Sequence, residues 1–465
     1  MKKYFIRITA FSFLILFILS SCTDNTVEKD SISDTVNITK SINITEETMP
    51  EPTINEISAI MYDGTNLWPT YAWPYDLPEN QDMDSDILDQ IGILMDYYTK
   101  EEKIFGGSII VARNGYIVYE KYSGYGKKVN EINPNASLTK SFVSALTGIA
   151  IDEGYIGSVD DKVLDYFTDL DIQNIDEMKK SLTIRDVLTM QSGLKLDDNV
   201  FQKEYPLLEI LSAPMSKEPG TYWKYDNSAP SILTAIIQKT TGKTAFEYAK
   251  EKLFEPIGIT SAIWDSTPSP GISNTAGAGL DMTAKDLLRF GHLYLHKGIW
   301  DGKRIISEDW INESTSPRVD VGKWDLYSYL WWGLKGISAD GYKRAKNKVV
   351  SYKINAVDIP IPEEIDGELY FINEIFEASL KEDVKDGEIY RATGLGGQYI
   401  YVWPKYNIVV VMTTASYNPP SKDIFTYEIN YGDYGNNKVL GFVLRAINDA
   451  FTDWEKIEEQ KIKVN

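Results

Sequence analysis

Apolar residues recur along this chain with two different periods. Between Asp84 and Lys100, Ile87, Ile91, Leu94 and Met95 fall on one face of a 3.6-residue repeat, which predicts a helix. The period then shortens to that of strands. Ser108-Ile109-Ile110-Val111-Ala112-Arg113 and Tyr116-Ile117-Val118-Tyr119-Glu120 flank Asn114-Gly115, which predicts a hairpin with a type I′ turn. From Ser137 to about Pro317 the pattern is mostly helical. Strand character returns at Tyr329-Leu330-Trp331-Trp332-Gly333 and in a hairpin over 399–414, where Ile408-Val409-Val410-Val411-Met412-Thr413 is the strongest strand of the chain. A final helix is predicted from Val439 to Trp454.

Strands early and late, with helices between, predict an α/β (α+β) architecture. One sheet is built from both ends of the domain, over 85–136 and 318–458, and a helical subdomain over 137–317 is inserted into it. A functional groove belongs between the two. Residues 346–386 interrupt the pattern. They are acidic, contain Pro360 and Pro362, and read as an insertion: a lid near the groove or a surface excursion without a role.

The N-terminus is patterned differently. Lys2, Lys3 and Arg7 precede an apolar run from Ile8 to Leu19, as in an export signal. The run is short for a membrane span. Leu19-Ser20-Ser21-Cys22 fits a lipobox, so residues 1–22 read as a lipoprotein signal peptide and Cys22 as the lipidated residue. The polar stretch 23–57 reads as a flexible tether with an average reach of about 30–35 Å. The expectation is an exported protein, lipid-anchored on the outer side of the cell membrane, with its folded domain over 58–458.

Composition narrows the field. A chain of 465 residues that is 43% hydrophobic and 25% charged suits a large folded enzyme. Loss of the signal peptide would take the formal charge from −21 to −24, which disfavours nucleic-acid binding because phosphates would be repelled.

Candidate chemistry begins at Ser137-Leu138-Thr139-Lys140, which opens a helical run. A helix start favours negative charge through its dipole and free N–H groups. Lys140 lies on the same face, one turn on. A serine hydroxyl is a weak nucleophile and needs a base beside it. A lysine shielded from water can be neutral and act as that base. A histidine-based route would have to recruit His292 or His296, which read as helix-surface residues. No His-Glu-x-x-His pattern or carboxylate cluster accompanies them, so no metal and no cofactor is expected. Cys22 is the only cysteine, and its place in the targeting segment argues against a thiol nucleophile and disulfides. Further on, a Pro219-Gly220 turn leads to Tyr225-Asp226-Asn227, ahead of a helical run from Ile232 to Thr241. A phenol near a lysine ammonium can be held partly as phenolate and shuttle protons. Asn227 can donate to a substrate carbonyl or hold Lys140 in place.

In combination these motifs are specific. Ser-x-x-Lys is followed by Leu182-Thr183-Ile184-Arg185-Asp186-Val187-Leu188, then by Pro219-Gly220 and Tyr225-x-Asn227. Leu253-Phe254-Glu255-Pro256-Ile257-Gly258-Ile259, the segment from Gly277 to Gly291 and Trp310-Ile311-Asn312-Glu313-Ser314 follow in turn. Over roughly residues 85 to 450 the chain resembles the serine β-lactamase and penicillin-binding superfamily. It looks most like the branch of class C β-lactamases, family VIII esterases and 6-aminohexanoate-dimer hydrolases. The resemblance implies a β-lactamase/transpeptidase-like fold, an antiparallel sheet flanked by helices with an inserted all-helical subdomain.

It also implies a third site element, a Lys-Thr-Gly or His-x-Gly strand. The corresponding stretch here is Arg391-Ala392-Thr393-Gly394-Leu395-Gly396-Gly397-Gln398. Ala392 replaces the cation, while Thr393 and Gly394 match. By this resemblance the backbone N–H groups of Leu395 and Ser137 form an oxyanion hole. Strand phase points Arg391 away from the side of Ala392.

The expectation is a serine hydrolase acting on a small-molecule ester, amide or short peptide through an acyl-enzyme on Ser137. Lys140 and Tyr225 form the acid-base pair, and which is the base stays open because coupled groups titrate together. Asn227 orients Lys140 or the substrate. Two alternatives stand beside it. One is a D-alanyl-D-alanine peptidase or β-lactamase acting at the cell wall, against which Ala392 argues. The other is a catalytically inactive binding or sensor protein on the same fold, against which the intact serine, lysine, tyrosine and asparagine argue.

Overall fold

Asn114 and Gly115 both have positive φ, 53° and 86°, as a type I′ turn requires. In the computed structural model this turn joins β1 (Gly106–Arg113) to β2 (Tyr116–Gly124), with Arg113 opposite Tyr116. The residues described run from 68 to 450, apart from 101–105, 125–129, 198–199, 270–271, 323, 340–342, 346–352, 355–356, 359–361, 366–367, 372–376, 415–438 and 442. Cys22, the signal peptide and the tether lie outside them, as does much of the 346–386 segment.

Six further strands complete the main sheet: β3 (Val319–Asp320), β4 (Asp325–Tyr327), β5 (Trp332–Leu334), β6 (Tyr390–Gly394), β7 (Gln398–Trp403) and β8 (Ile408–Thr414). Their order is β3-β4-β5-β6-β7-β8-β1-β2, antiparallel throughout. The early hairpin therefore docks on the last strand, with Ile110 opposite Val411.

Every residue of β7 and β8 is buried, because both faces of the sheet are covered. On one face, Ile109, Val111, Tyr401, Val410 and Met412 meet Ile87, Ile91 and Met95 of α1 (Ser85–Lys100), together with Val439, Val443 and Ile447. The C-terminal helix predicted over 439–454 is described over 439–446 apart from 442; Ile447 then bridges to Met83, Asn448–Ala450 form a 3-10 turn, and 451–454 lie outside the described residues. On the other face, Ile110, Ala392, Ile400, Val409 and Val411 join a core shared with α2 (Thr139–Asp152), α3 (Ser231–Thr241) and α4 (Ala284–Leu295).

The 137–317 region departs from the expected inserted subdomain in one respect. α4 packs directly on β8, β7 and β1 as part of the sheet's own cover. Gly291 allows that approach, since a Cβ there would lie 2.5 Å from Val409 Cγ1 and 2.7 Å from Ile400 Cγ2. An apolar stripe announces a buried face but not which layer it will meet.

His292 of α4 is also not on the surface, and His296, at the helix C-cap, is half-buried. His292 is buried among Trp68, Trp73 and Trp300, and His296 lies against Trp68. The lead-in segment from Trp68 folds over α4. Arg289 Nε donates to the Pro69 carbonyl and Trp300 Nε1 to Thr70 Oγ1. Burial pushes His292 well below the usual imidazole range, so it stays neutral. The strand predicted at 329–333 starts only at Trp332. Leu330 takes φ of 57°, and its carbonyl accepts from Ser141 Oγ on α2.

Candidate active site

The chain approaches Ser137 along a short strand, Ile132–Pro134, paired antiparallel with Leu280–Thr283. The Asp281 carboxylate accepts from the Asn135 N–H at 3.0 Å and holds the bend that follows. Ala136 takes φ of 48°, and the turn Ala136–Leu138 is 3-10 before α2 begins at Thr139. Ser137 therefore sits one tight turn ahead of the helix on whose first turn Lys140 is carried.

Lys140 is 2% exposed. Its Nζ lies 3.0 Å from Ser137 Oγ, 2.9 Å from Asn227 Oδ1 and 2.8 Å from the Gly277 carbonyl oxygen. Two of these partners, an amide oxygen and a carbonyl, can only accept. A neutral amine has two N–H groups and one lone pair, so the two N–H groups go to Asn227 and Gly277 and the lone pair faces the serine.

Tyr225 and Asn227 reach the site from the loop before α3. Asp226 shapes that loop by accepting from the N–H groups of Ser228 and Ala229 at 2.7 and 2.6 Å. The Tyr225 side chain lines the groove beside Ser137, and its ring stacks on Trp332 with centroids 5.9 Å apart. Lys140 Nζ lies 5.0 Å from the same ring centroid.

Burial decides the protonation of both groups. It pulls Lys140 down to about 7, against the opposing pull of the Asp226 carboxylate. It pushes Tyr225 up to about 12, a rise that the neighbouring Ser137 hydroxyl lessens and Asp226 reinforces. The partial phenolate expected from a neighbouring ammonium is thus not favoured. Desolvation brings the lysine's loss of charge into the neutral pH range, and the tyrosine keeps its proton there for the same reason.

β6 forms the opposite wall. Thr393, Gly394 and Leu395 line a groove of about 320 Å³ with Ser137, Tyr225, Trp332 and Tyr399. Gly394 presses on the serine-bearing bend, and Leu395 is 45% exposed at the turn. Ala392 is fully buried and faces the helix-side core. Arg391 points away from Ala392, as strand phase predicted, but that is the side of Thr393. Its Nε donates to Thr393 Oγ1 at 3.2 Å, and its Nη2 to Asp325 at 2.7 Å. A cation therefore stands behind the groove, one residue from where the motif placed it.

Sequence reasoning did not assign roles to Gly277, Asp226, Asp281 or Trp332. Gly277 had a signal in its Gly-Ala-Gly setting: a Cβ there would lie 2.6 Å from the Asn227 carbonyl oxygen. Trp332 carried no signal beyond strand pattern. Among the described residues that line the groove, none comes from 346–386.

A family model described as Beta-lactamase matches residues 93–430. An uncharacterised protein of Alkalihalophilus pseudofirmus is 25% identical over 255 residues, which are 49% of this chain and 70% of that protein. Beta-lactamase-like protein 2 of Dictyostelium discoideum is 25% identical over 54% of this chain, and the match spans only 52% of that relative. In structure, the octameric penicillin-binding protein homologue from Pyrococcus abyssi aligns with a TM-score of 0.51 at 20% identity, over 82% of this chain and 81% of that one.

Proposed function

Because the chain belongs to the β-lactamase family and has its fold, we propose that it is a serine hydrolase that cleaves an ester or amide bond through an acyl-enzyme on Ser137. The observation that carries this reading is the 3.0 Å contact between Lys140 Nζ and Ser137 Oγ, with the other two lysine partners able only to accept.

The neutral Lys140 amine takes the Ser137 proton as Oγ attacks the substrate carbonyl carbon. The C–O bond forms, the carbonyl π pair moves to oxygen, and the backbone N–H groups of Ser137 and Leu395 hold that oxyanion. Tyr225, protonated and beside Ser137 in the groove, gives its proton to the leaving group as the scissile bond breaks, and recovers one from the Lys140 ammonium. Water then attacks the acyl carbon with the same two groups in reversed roles, releasing the acid and restoring the serine. Asn227 and Gly277 keep Lys140 aimed throughout.

The substrate class is a small-molecule ester, amide or short peptide. The enzyme is exported and held at the outer face of the cell membrane by a lipid on Cys22, a reading supported by the lipobox sequence. Turnover of p-nitrophenyl acetate by the wild type, compared with Ser137→Ala, tests the hydrolase reading. A loss of at least ~10³-fold is expected, and near-normal turnover by the variant would rule the mechanism out.

A further inference from the structure

Arg391 lies behind the groove wall with its side chain 9% exposed, and it is held on two sides. Its Nη2 donates to Asp325 Oδ1 at 2.7 Å, and its Nε to Thr393 Oγ1 at 3.2 Å. The Trp332 and Tyr401 rings, each 5.9 Å from the guanidinium carbon, keep it in place. Thr393 lines the groove beside Ser137, whereas Arg391 does not. Because the Arg391 N–H occupies a lone pair of the Thr393 oxygen, the threonine directs its own proton elsewhere, and the groove is open to it.

We propose that Asp325, acting through Arg391, sets the substrate class: the groove takes an uncharged ester or amide with a second acceptor carbonyl beside the scissile bond, received by the Thr393 hydroxyl, and discriminates against a carboxylate there. This rests on the hydrolase reading above. A free guanidinium recognises carboxylate by charge-assisted bonds. Asp325 satisfies it in advance. A substrate carboxylate arriving at Thr393 meets an ion pair of zero net charge, so its desolvation goes uncompensated. A neutral carbonyl pays little desolvation and still gains the oriented donor. Asp325 and Arg391 are positioning residues in this arrangement, and Thr393 is the group that touches substrate.

The test is Asp325→Asn, which keeps the shape of the side chain and leaves the guanidinium uncompensated. The substrate pair is mono-p-nitrophenyl succinate, with a free carboxylate, and its methyl ester, with a neutral carbonyl. The ratio of kcat/KM, carboxylate over neutral, should rise at least ~tenfold in the variant. A merely structural role would lower both alike, and an unchanged ratio overturns the proposal. A second readout needs no turnover. In Ser137→Ala, 4-fluorophenylacetate binding followed by fluorine NMR should tighten at least ~fivefold when Asp325→Asn is added, and equal affinities would overturn the proposal. If the wild type hydrolyses neither ester but this tightening is seen, the hydrolase reading fails and the anion discrimination stands. Should Asp325→Asn not fold, Thr393→Val replaces it. Its loss on the methyl succinate ester should exceed its loss on p-nitrophenyl acetate, which has no second carbonyl, by ~tenfold; equal losses overturn the proposal.

Discussion

Gly394 and Asn135 meet so closely that a Cβ on the glycine would lie 2.2 Å from the asparagine carbonyl oxygen. This contact presses the groove strand against the bend that carries Ser137 and sets the width of the site. Gly394→Ala should therefore lose at least ~10²-fold in kcat/KM, because misplacement of about an ångström removes that much from a positioned nucleophile. Overpacking should also lower stability by about 1–3 kcal/mol. Steady-state kinetics and thermal unfolding check both, and unaltered turnover would mean that the close approach does not serve catalysis.

The pH dependence follows from the opposite shifts of Lys140 and Tyr225. Below about 7, Lys140 is increasingly an ammonium with no lone pair for Ser137. On that limb kcat/KM should fall about tenfold per pH unit. Above it the rate should level and stay level while Tyr225, pushed up to about 12, keeps its proton. A pH profile of p-nitrophenyl acetate hydrolysis shows this directly. A basic limb beginning near pH 8 would assign the chemistry to other groups.

The absence of a cation at Ala392 predicts weak β-lactam turnover beside that of short-chain esters. The comparison is kcat/KM for nitrocefin against p-nitrophenyl butyrate. A nitrocefin value above about 10⁶ M⁻¹s⁻¹ would mark an efficient β-lactamase instead. Ala392→Lys would not restore that cation to the groove. The residue faces the helix-side core with no exposure, so the new ammonium would be buried without a partner. The variant should lose several kcal/mol of stability, about 3–5, rather than gain carboxylate affinity. A stable variant with improved nitrocefin turnover would contradict that placement.

Much of this arrangement was legible in the chain, because it is local. The type I′ turn at Asn114-Gly115 needs two positive φ values that few dipeptides accept, and the three-residue spacing of Ser137 and Lys140 brings them together across a 3-10 turn and the helix start that follows it. The stripe of Ile87, Ile91 and Met95 gave α1 its buried face. What was not legible depends on partners distant in sequence. Nothing near His292 shows that Trp68, more than two hundred residues earlier, will cover it. The Gly277 carbonyl meets Lys140 across a sequence separation of 137 residues. Strand phase placed Arg391 opposite Ala392 correctly. It could not show that the groove lies on the arginine's side, since the position of Ser137 relative to β6 is set by tertiary packing.

Cys22→Ala should release the protein from membranes or leave it as an unprocessed precursor, since the lipobox supplies the anchor in this account. Fractionation with labelled palmitate checks it. A variant that is processed and membrane-bound like the wild type would show that lipidation of Cys22 is not the anchor.

In this mechanism Ser137 is acylated with neutral Lys140 as its base. The most direct measurement is intact-mass and peptide-mapped labelling by a fluorophosphonate across pH 5 to 9. A single adduct on Ser137 is expected, with a labelling rate that rises about tenfold per unit up to a midpoint near 7 and then levels. No adduct should form in Ser137→Ala, and labelling should be at least ~10²-fold slower in Lys140→Met. An adduct on another residue, or labelling of Ser137 at the same rate without Lys140, would contradict this mechanism.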